Sequence, residues 1–200
     1  MNAIPDCLIH DPASYVDPLD FAAVFSSAQP LEVELGSGDG SWLVQYAAAH
    51  PERNFLGVER LFGRLSKIDK KGRRLGLANL RALRIEAGYF LEYLLPAHCA
   101  QALHIYFPDP WPKKRHRKNR LVNERFPQQA ARILAPRGVV YLRTDDADYF
   151  QQMQEVFAAA STQFEPVETP DELATVLTDF EREFNAQGIP TRRAAYRLVA

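Results

Sequence analysis

Two cysteines in 200 residues, Cys7 and Cys99, are too few and too isolated for a disulfide framework, and they lack the C-x-x-C spacing of a zinc site. The five histidines (His10, His50, His98, His104, His116) are scattered and make no metal-ligand pair at helical spacing, so no metal is expected. No apolar run approaches the length of a membrane span. Met1 to Asp20 lacks the charged and apolar regions of a secretion signal, so a cytoplasmic chain without membrane attachment is expected. Internal repeats and low-complexity tracts are missing too. Overall charge imbalance is also absent: the net charge is −1, which argues against wholesale coating of nucleic acid.

What charge there is, however, is concentrated. Lys113-Lys114-Arg115-His116-Arg117-Lys118-Asn119-Arg120 carries +6 with His116 neutral, leaving about −7 on the rest by subtraction. Such a patch implies a local anionic partner. A solvated basic loop is the alternative when a strip stands alone. This one follows directly on Phe107-Pro108-Asp109-Pro110-Trp111-Pro112. Pro108 and Pro110 restrict the backbone on both sides of Asp109 and hold its carboxylate at low entropy cost. Trp111 offers a flat face on which a base could stack. Read blandly, Trp111 is a core aromatic and Asp109 a turn former. A pre-shaped acidic pocket beside a cationic strip is instead the layout of an enzyme acting on a base within a nucleic acid.

With 46% hydrophobic residues the chain is long enough for one domain with a substantial core. A Pro- and Asp-rich leader is expected over residues 1–20 and a single domain over 21–200. A short helix is expected to begin at Asp20 to Phe25. From there, strands are predicted at 31–35, 54–58, 80–85, 102–107 and 138–144. Helices are predicted at 41–50, 60–71, 89–95, 122–134 and 148–160. This alternation predicts a parallel, doubly wound α/β sheet. Two last strands, at 163–166 and 193–199, flank an acidic helical stretch at 171–183 and suggest an antiparallel hairpin at one edge. Seven strands are expected in all.

Glu34-Leu35-Gly36-Ser37-Gly38-Asp39-Gly40 follows the first of these strands and opens a helix. Its glycines let the backbone turn sharply and a ligand approach. G-x-G-x-G with an acid, Glu34, two residues ahead suits a ligand bearing an α-amino group better than a pyrophosphate. Glu59 ends the second strand, where an acid can accept both hydroxyls of a ribose. Glu86, just past the third, could meet an adenine edge. Together Glu34, Gly36, Gly38, Gly40 and Glu59 suit S-adenosylmethionine better than NAD. Singly, each has a plainer reading as a tight turn or a helix-terminal acid.

Three further features are ambiguous. Arg60, Arg64, Lys67, Lys71 and Arg74 share one helix face, which is either solvated or in contact with RNA. Thr178-Asp179-Phe180-Glu181 has capping-box spacing. Asp145 could cap the helix that follows it.

These residues bring the chain to a resemblance. From about Leu31 to Val199 it resembles the bacterial tRNA (guanine-N7-)-methyltransferases. Pro108-Asp109-Pro110-Trp111 with its basic run, and Thr178 to Glu181 with Gly188 beyond, carry the likeness. The resemblance implies a Rossmann-like methyltransferase fold and transfer of a methyl group from S-adenosylmethionine to N7 of a guanine in the tRNA variable loop. It implies cofactor contacts at Glu34, Gly36, Gly38, Gly40, Glu59, Glu86 and Asp109, with Asp109 also catalytic. Substrate contacts fall on Lys113, Asp145, Thr178, Asp179, Phe180 and Glu181, and RNA contacts on Arg115, His116, Arg117, Lys118, Asn119 and Arg120. Asp109 and Glu181 are expected to accept from guanine N1–H and its amino group. Glu86 departs from the shorter Asp or Asn of the family, and a short leader would reduce any cofactor cover. The partner is tRNA, and a monomer or homodimer without an obligatory protein partner is expected. Alternatives are a methyltransferase for another base or a small molecule, and a non-catalytic RNA-binding subunit with this fold.

Overall fold

Apolar runs too short for helices become strands buried on both faces. A computed structural model describes residues 5–199. The strands are β1 (Ile9–His10), β2 (Leu31–Leu35), β3 (Asn54–Val58), β4 (Leu80–Leu83), β5 (Ala100–Tyr106), β6 (Leu134–Thr144), β7 (Phe164–Val167) and β8 (Arg192–Leu198). Every residue of β2, β3 and β4 is buried, as strands covered by helices on two sides require. All eight form one sheet in the order β1-β4-β3-β2-β5-β6-β8-β7. Every pairing is parallel except those of β8, which runs antiparallel to β6 and β7.

The α/β class and the antiparallel edge match expectation; the strand number does not, being eight among the described residues rather than seven. The additional strand is β1, within the stretch read as a leader. Two residues carry no periodicity, so only tertiary contacts reveal them. Leu8 donates its N–H to Asp69 Oδ1 (2.8 Å) and accepts from Ala82 N (2.8 Å). A Cβ on Gly72 would collide with the Leu8 side chain, so the glycine lets this segment lie close against the helix.

The helices are α1 (Phe21–Val24), α2 (Leu43–Ala49), α3 (Phe62–Arg74), α4 (Ala87–Tyr89), α5 (Phe126–Ile133), α6 (Ala147–Ala159), α7 (Asp171–Thr175) and α8 (Asp179–Ala186). A π-helical turn, Phe90–Leu94, continues α4, and a 3₁₀ segment spans Lys114–Asn119. Phe90, Leu94, Phe126, Met153 and Phe157 fill one side of the sheet; Trp42, Leu43, Tyr46, Leu65, Ile68 and Leu173 fill the other.

The acidic stretch expected as one helix is two, α7 and α8. Arg143 on β6 takes the Leu173 and Val176 carbonyls, and Thr178 restarts the helix by accepting from Glu181 N at 3.0 Å. Strand order reverses between β2 and β5, which pair directly. The crevice at the carboxyl ends of those two strands is where open α/β sheets bind ligands.

Candidate active site

Both glycine-rich and proline-rich segments leave the sheet at this reversal. After β2, Gly36, Gly38 and Gly40 all take positive φ (81°, 56° and 73°), a conformation costly for residues with a Cβ. Lys71 Nζ pins the turn through Asp39 Oδ2 (2.7 Å) and the Asp39 carbonyl (3.0 Å). Glu59 braces it from the end of β3, accepting from Gly38 N (3.1 Å) and Leu61 N (2.7 Å). Each carboxylate oxygen keeps capacity for a further hydrogen bond.

Glu34 is the electrostatic anomaly of the crevice. It is buried, and its Oε2 has no hydrogen-bond partner. Burial pushes its pKa well above the usual carboxylate range; Arg143 opposes the rise, while Asp39 and Glu59 reinforce it. A buried carboxyl with an open acceptor at a glycine turn is matched by a cation.

After β5 the chain makes two unusual turns. Phe107 (φ 51°) and Trp111 (φ 43°) are both left-handed, a conformation that non-glycine residues seldom adopt. They bracket Pro108-Asp109-Pro110. Asp109 is exposed, and its Oδ1 accepts from Trp111 N at 3.1 Å. Arg120 fastens this loop: its guanidinium donates to the Pro110 carbonyl (2.7 Å), Gln152 Oε1 (2.7 Å) and Asp148 Oδ2 (2.6 Å), over the Tyr149 ring. Strain concentrated at two residues persists only where such contacts over-determine it.

Two cavities meet at Asp109. One, of about 320 Å3, is lined by Gly36, Glu59, Glu86, Phe107, Asp109 and Trp111, among others. The second, of about 370 Å3, is lined by Glu34, Gly38, Asp109, Thr178, Asp179 and Phe180, among others. Gly36, Arg64, Phe107 and Asp109 belong to both. Beneath the second lies Tyr106, whose hydroxyl donates to His104 Nδ1 (2.8 Å) while His104 Nε2–H donates to Glu32 (2.8 Å). Burial lowers the pKa of His104, consistent with this neutral tautomer.

Most of the residues singled out in the sequence therefore converge, and several do not. Gly40 faces away, with Ile68 where its Cβ would be. Lys113 and Asp145 line neither cavity. Asp146, one residue later, caps α6 by accepting from Tyr149 N at 2.7 Å. Glu86 lines the first cavity with its carboxylate already capping α4 at Gly88 N (2.9 Å) and Tyr89 N (2.7 Å).

Two placements run against expectation. Glu181 is fully buried: Oε2 meets Arg143 Nη1 at 2.9 Å and Oε1 meets Arg193 Nη2. It is an anchor for α8 rather than a wall of the cavity. Arg120 is likewise buried and holds the loop instead of facing RNA. Within the strip Arg117 pairs with Asp148 at 2.8 Å, His116 packs edge-on to Trp111, and Asn119 lines the first cavity. Lys113, Lys114, Arg115 and Lys118 are exposed.

Arg64 and Lys67 were read only as part of a basic helix face; both line the second cavity. Ser41, Trp42 and Tyr106 line it as well, and nothing local in the sequence marks them. Among the described residues no group of three or more His, Cys, Asp or Glu side chains could hold a metal ion. Nor, among the described residues, is any helix long and apolar enough to cross a membrane.

The profile of a family described as putative methyltransferase matches residues 28–194. The tRNA (guanine-N(7)-)-methyltransferase of Syntrophotalea carbinolica is 44% identical over 136 residues, covering 68% of this chain and 59% of that protein. Its namesake from Thermotoga maritima is 32% identical over 182 residues, covering 91% of this chain and 58% of that protein. The chain thus spans about three fifths of the length of these curated relatives. Among solved structures, the 16S rRNA methyltransferase KamB superposes with a TM-score of 0.64 at 16% identity, covering 90% of this chain and 93% of that one. At that identity the likeness speaks for the fold alone.

Proposed function

Since the chain belongs to the putative methyltransferase family, we propose that it transfers a methyl group from S-adenosylmethionine to N7 of a guanine in the tRNA variable loop. One observation carries the reading: Asp109 stands where the cavity lined by Glu59 and Glu86 meets the cavity lined by Glu34 and Thr178 to Phe180. The curated relatives' names support the choice of guanine and tRNA. That substrate places its work in the cytoplasm, and we propose a monomer or homodimer without an obligatory protein partner.

The donor set fits the cofactor. Glu34, with its open Oε2, would hold an α-ammonium; Glu59 would accept the ribose hydroxyls; Glu86 and Ala87 would flank the adenine. Bound there, S-adenosylmethionine supplies an electrophilic methyl group on a sulfonium. Guanine N7 carries a lone pair and no proton, so no general base is required. The protein contributes alignment and charge control. Asp109 and Asp179 each have one oxygen engaged, Asp109 Oδ1 by Trp111 N and Asp179 Oδ1 by Arg182. Each keeps Oδ2 to accept from guanine N1–H and the amino group, donors that adenine does not present in that pattern. This replaces the pair Asp109 and Glu181, since Glu181 is committed to two arginines. Phe180, exposed at the rim and adjoining Phe107, offers its ring to the base. Lys113, Arg115 and Lys118 hold phosphates. The target base leaves its stack to enter.

The test is incubation of the protein with tRNA transcript and labelled cofactor, followed by nucleoside mass analysis and mapping of the site. N7-methylguanosine in the variable loop is expected. A methylated adenine, or cofactor bound without transfer, would contradict the reading.

Two further results are expected. Because the pKa of Glu34 is raised by folding, its stabilising contribution is present below the unfolded value near 4.5 and is lost as pH rises towards the raised one. Glu34→Gln should therefore raise the melting temperature of the free protein at neutral pH. The same change should weaken cofactor binding roughly 10- to 100-fold, the worth of one charged hydrogen bond. Paired melts and cofactor titrations across pH check both signs. Replacing Arg115 and Lys118 by Ala should weaken tRNA binding and reduce its salt slope by about 1 per charge removed. An unchanged slope would leave the strip as a solvated loop.

A further inference from the structure

Beyond the adenine end of the first cavity the protein continues as a trench. A hollow of about 380 Å3, lined by Tyr89, Tyr93, Lys118, Asn119 and Arg125 among others, shares Glu86, Asn119 and Leu121 with that cavity. It shares Lys118, Asn123 and Arg125 with a groove of about 860 Å3 on its far side. Of this surface the transfer reaction described above uses Glu86 and Lys118, but neither the tyrosine pair nor Arg125.

Its floor is built on the π-helical turn Phe90–Leu94. Such turns are rare and are frequently found at functional sites. Here the turn buries Phe90, Leu91 and Leu94 and leaves Tyr89 (37% exposed) and Tyr93 (50% exposed) at the surface, ring centroids 4.8 Å apart. Arg132 fixes the turn from below, donating to the Leu91 (2.7 Å), Glu92 (3.2 Å) and Leu95 (2.8 Å) carbonyls. Tyr89 is held further by its hydroxyl, which donates to the Tyr15 carbonyl at 2.8 Å. The rings are thus preorganised, with little entropy left to lose on binding.

The adjoining groove contributes Arg117, Lys118 and Arg125, and it offers one open donor. It is lined also by Glu124 and by Glu155, which accepts from Gln151. Arg117 Nε is buried in the protein without a hydrogen-bond partner, and Lys118 and Arg125 line the same groove. The acids of the hollow are already engaged: Glu86 caps α4, and Glu92 sits against the Tyr93 hydroxyl and raises its pKa. Among the described residues Leu121 is the only aliphatic side chain lining the hollow, too little for the apolar centre of a protein interface. Flat rings beside a cationic track are what single-stranded nucleic acid binds.

We propose that Tyr89 and Tyr93 form a stacking platform for an unpaired base of the RNA strand, with its phosphates on Lys118, Arg125 and the open Nε of Arg117. The proposal deepens the reading of RNA as substrate and rests on it. The platform takes a base other than the methylated one and sets which single-stranded stretch the protein can grip.

The test measures binding, not methylation. Fluorescence anisotropy compares the whole protein's affinity for a short oligouridylate, which carries no guanine for the Asp109 pocket, and for an abasic strand of equal length. Wild type should favour the base-bearing strand roughly 5- to 100-fold, the range of one base on an aromatic ring. Tyr93→Ala should remove that preference while keeping the salt dependence, and Tyr93→Phe should retain it. Melting temperature should not change, since the ring is half exposed. Equal affinity of wild type for both strands, or undiminished preference in Tyr93→Ala, overturns the platform. So does a change of oligomeric state in Tyr93→Ala, which would make the patch a contact between copies. A protein that methylates tRNA yet ignores the bases here loses only this platform. One that discriminates the strands but transfers no methyl group loses only the proposed reaction.

Discussion

Asp109→Ala is expected to lower the methyl-transfer rate by roughly 100- to 1,000-fold, the usual loss when one preorganised polar group at a reacting centre is removed. Cofactor affinity should change far less, because Glu34, Glu59 and the glycine turn lie on other segments. The fold should be intact, since Asp109 is exposed and its one hydrogen bond closes a local turn. Asp109→Asn separates two contributions. It keeps an acceptor for Trp111 N but removes the charge, so a variant as inactive as Ala would assign the effect to charge. Single-turnover kinetics at saturating cofactor, with cofactor titration alongside, make the comparison. Near-normal turnover by either variant would remove Asp109 from the reaction.

Glu181→Ala should damage stability rather than chemistry. Its carboxylate is fully buried between Arg143, itself buried, and Arg193. Deleting the shared acid leaves buried positive charge uncompensated, a change that costs about 3–5 kcal/mol. For a chain of this size, melting should fall by roughly 6–20 °C. Arg143 also carries the Leu173 and Val176 carbonyls, so the joint between α7 and α8 should loosen with it. That joint positions Asp179 and Phe180 at the rim, so activity recovered at low temperature should show a raised KM for tRNA. Unchanged melting with lost activity would instead return Glu181 to the guanine site.

The central strands were legible because strands covered on both faces read as short apolar runs, as Leu31–Leu35 and Asn54–Val58 do. Ile9–His10 was not, since two residues have no period and its position depends on Leu8, Asp69 and Gly72 far along the chain. Local spacing at Thr178 and Glu181 gave half of the answer. Thr178 does cap the helix, but the Glu181 side chain turns to arginines on β6 and β8 rather than back to the cap. Only the pairing of β6 with β8 brings those arginines together, Arg143 opposite Arg193.

The basic strip shows the same limit. Composition treats its six cations alike, whereas the fold buries Arg120 against Asp148, Gln152 and the Pro110 carbonyl and leaves Arg115 and Lys118 outside. Pro108-Asp109-Pro110 advertised a restricted carboxylate, yet the left-handed Phe107 and Trp111 on either side could not be read from residue type. Glu34 was legible by chemistry alone: an acid ahead of a glycine turn wants a cation, and the orphaned Oε2 is that want made structural.

A crystal structure with the demethylated cofactor product and a guanosine-containing oligonucleotide tests the account most directly. It should show the product's amino group against Glu34 and its ribose on Glu59, with the guanine's N1–H and amino edge on Asp109 and Asp179 and its N7 directed at the product sulfur. A guanine seated elsewhere, or a sulfur opening away from N7, would contradict it.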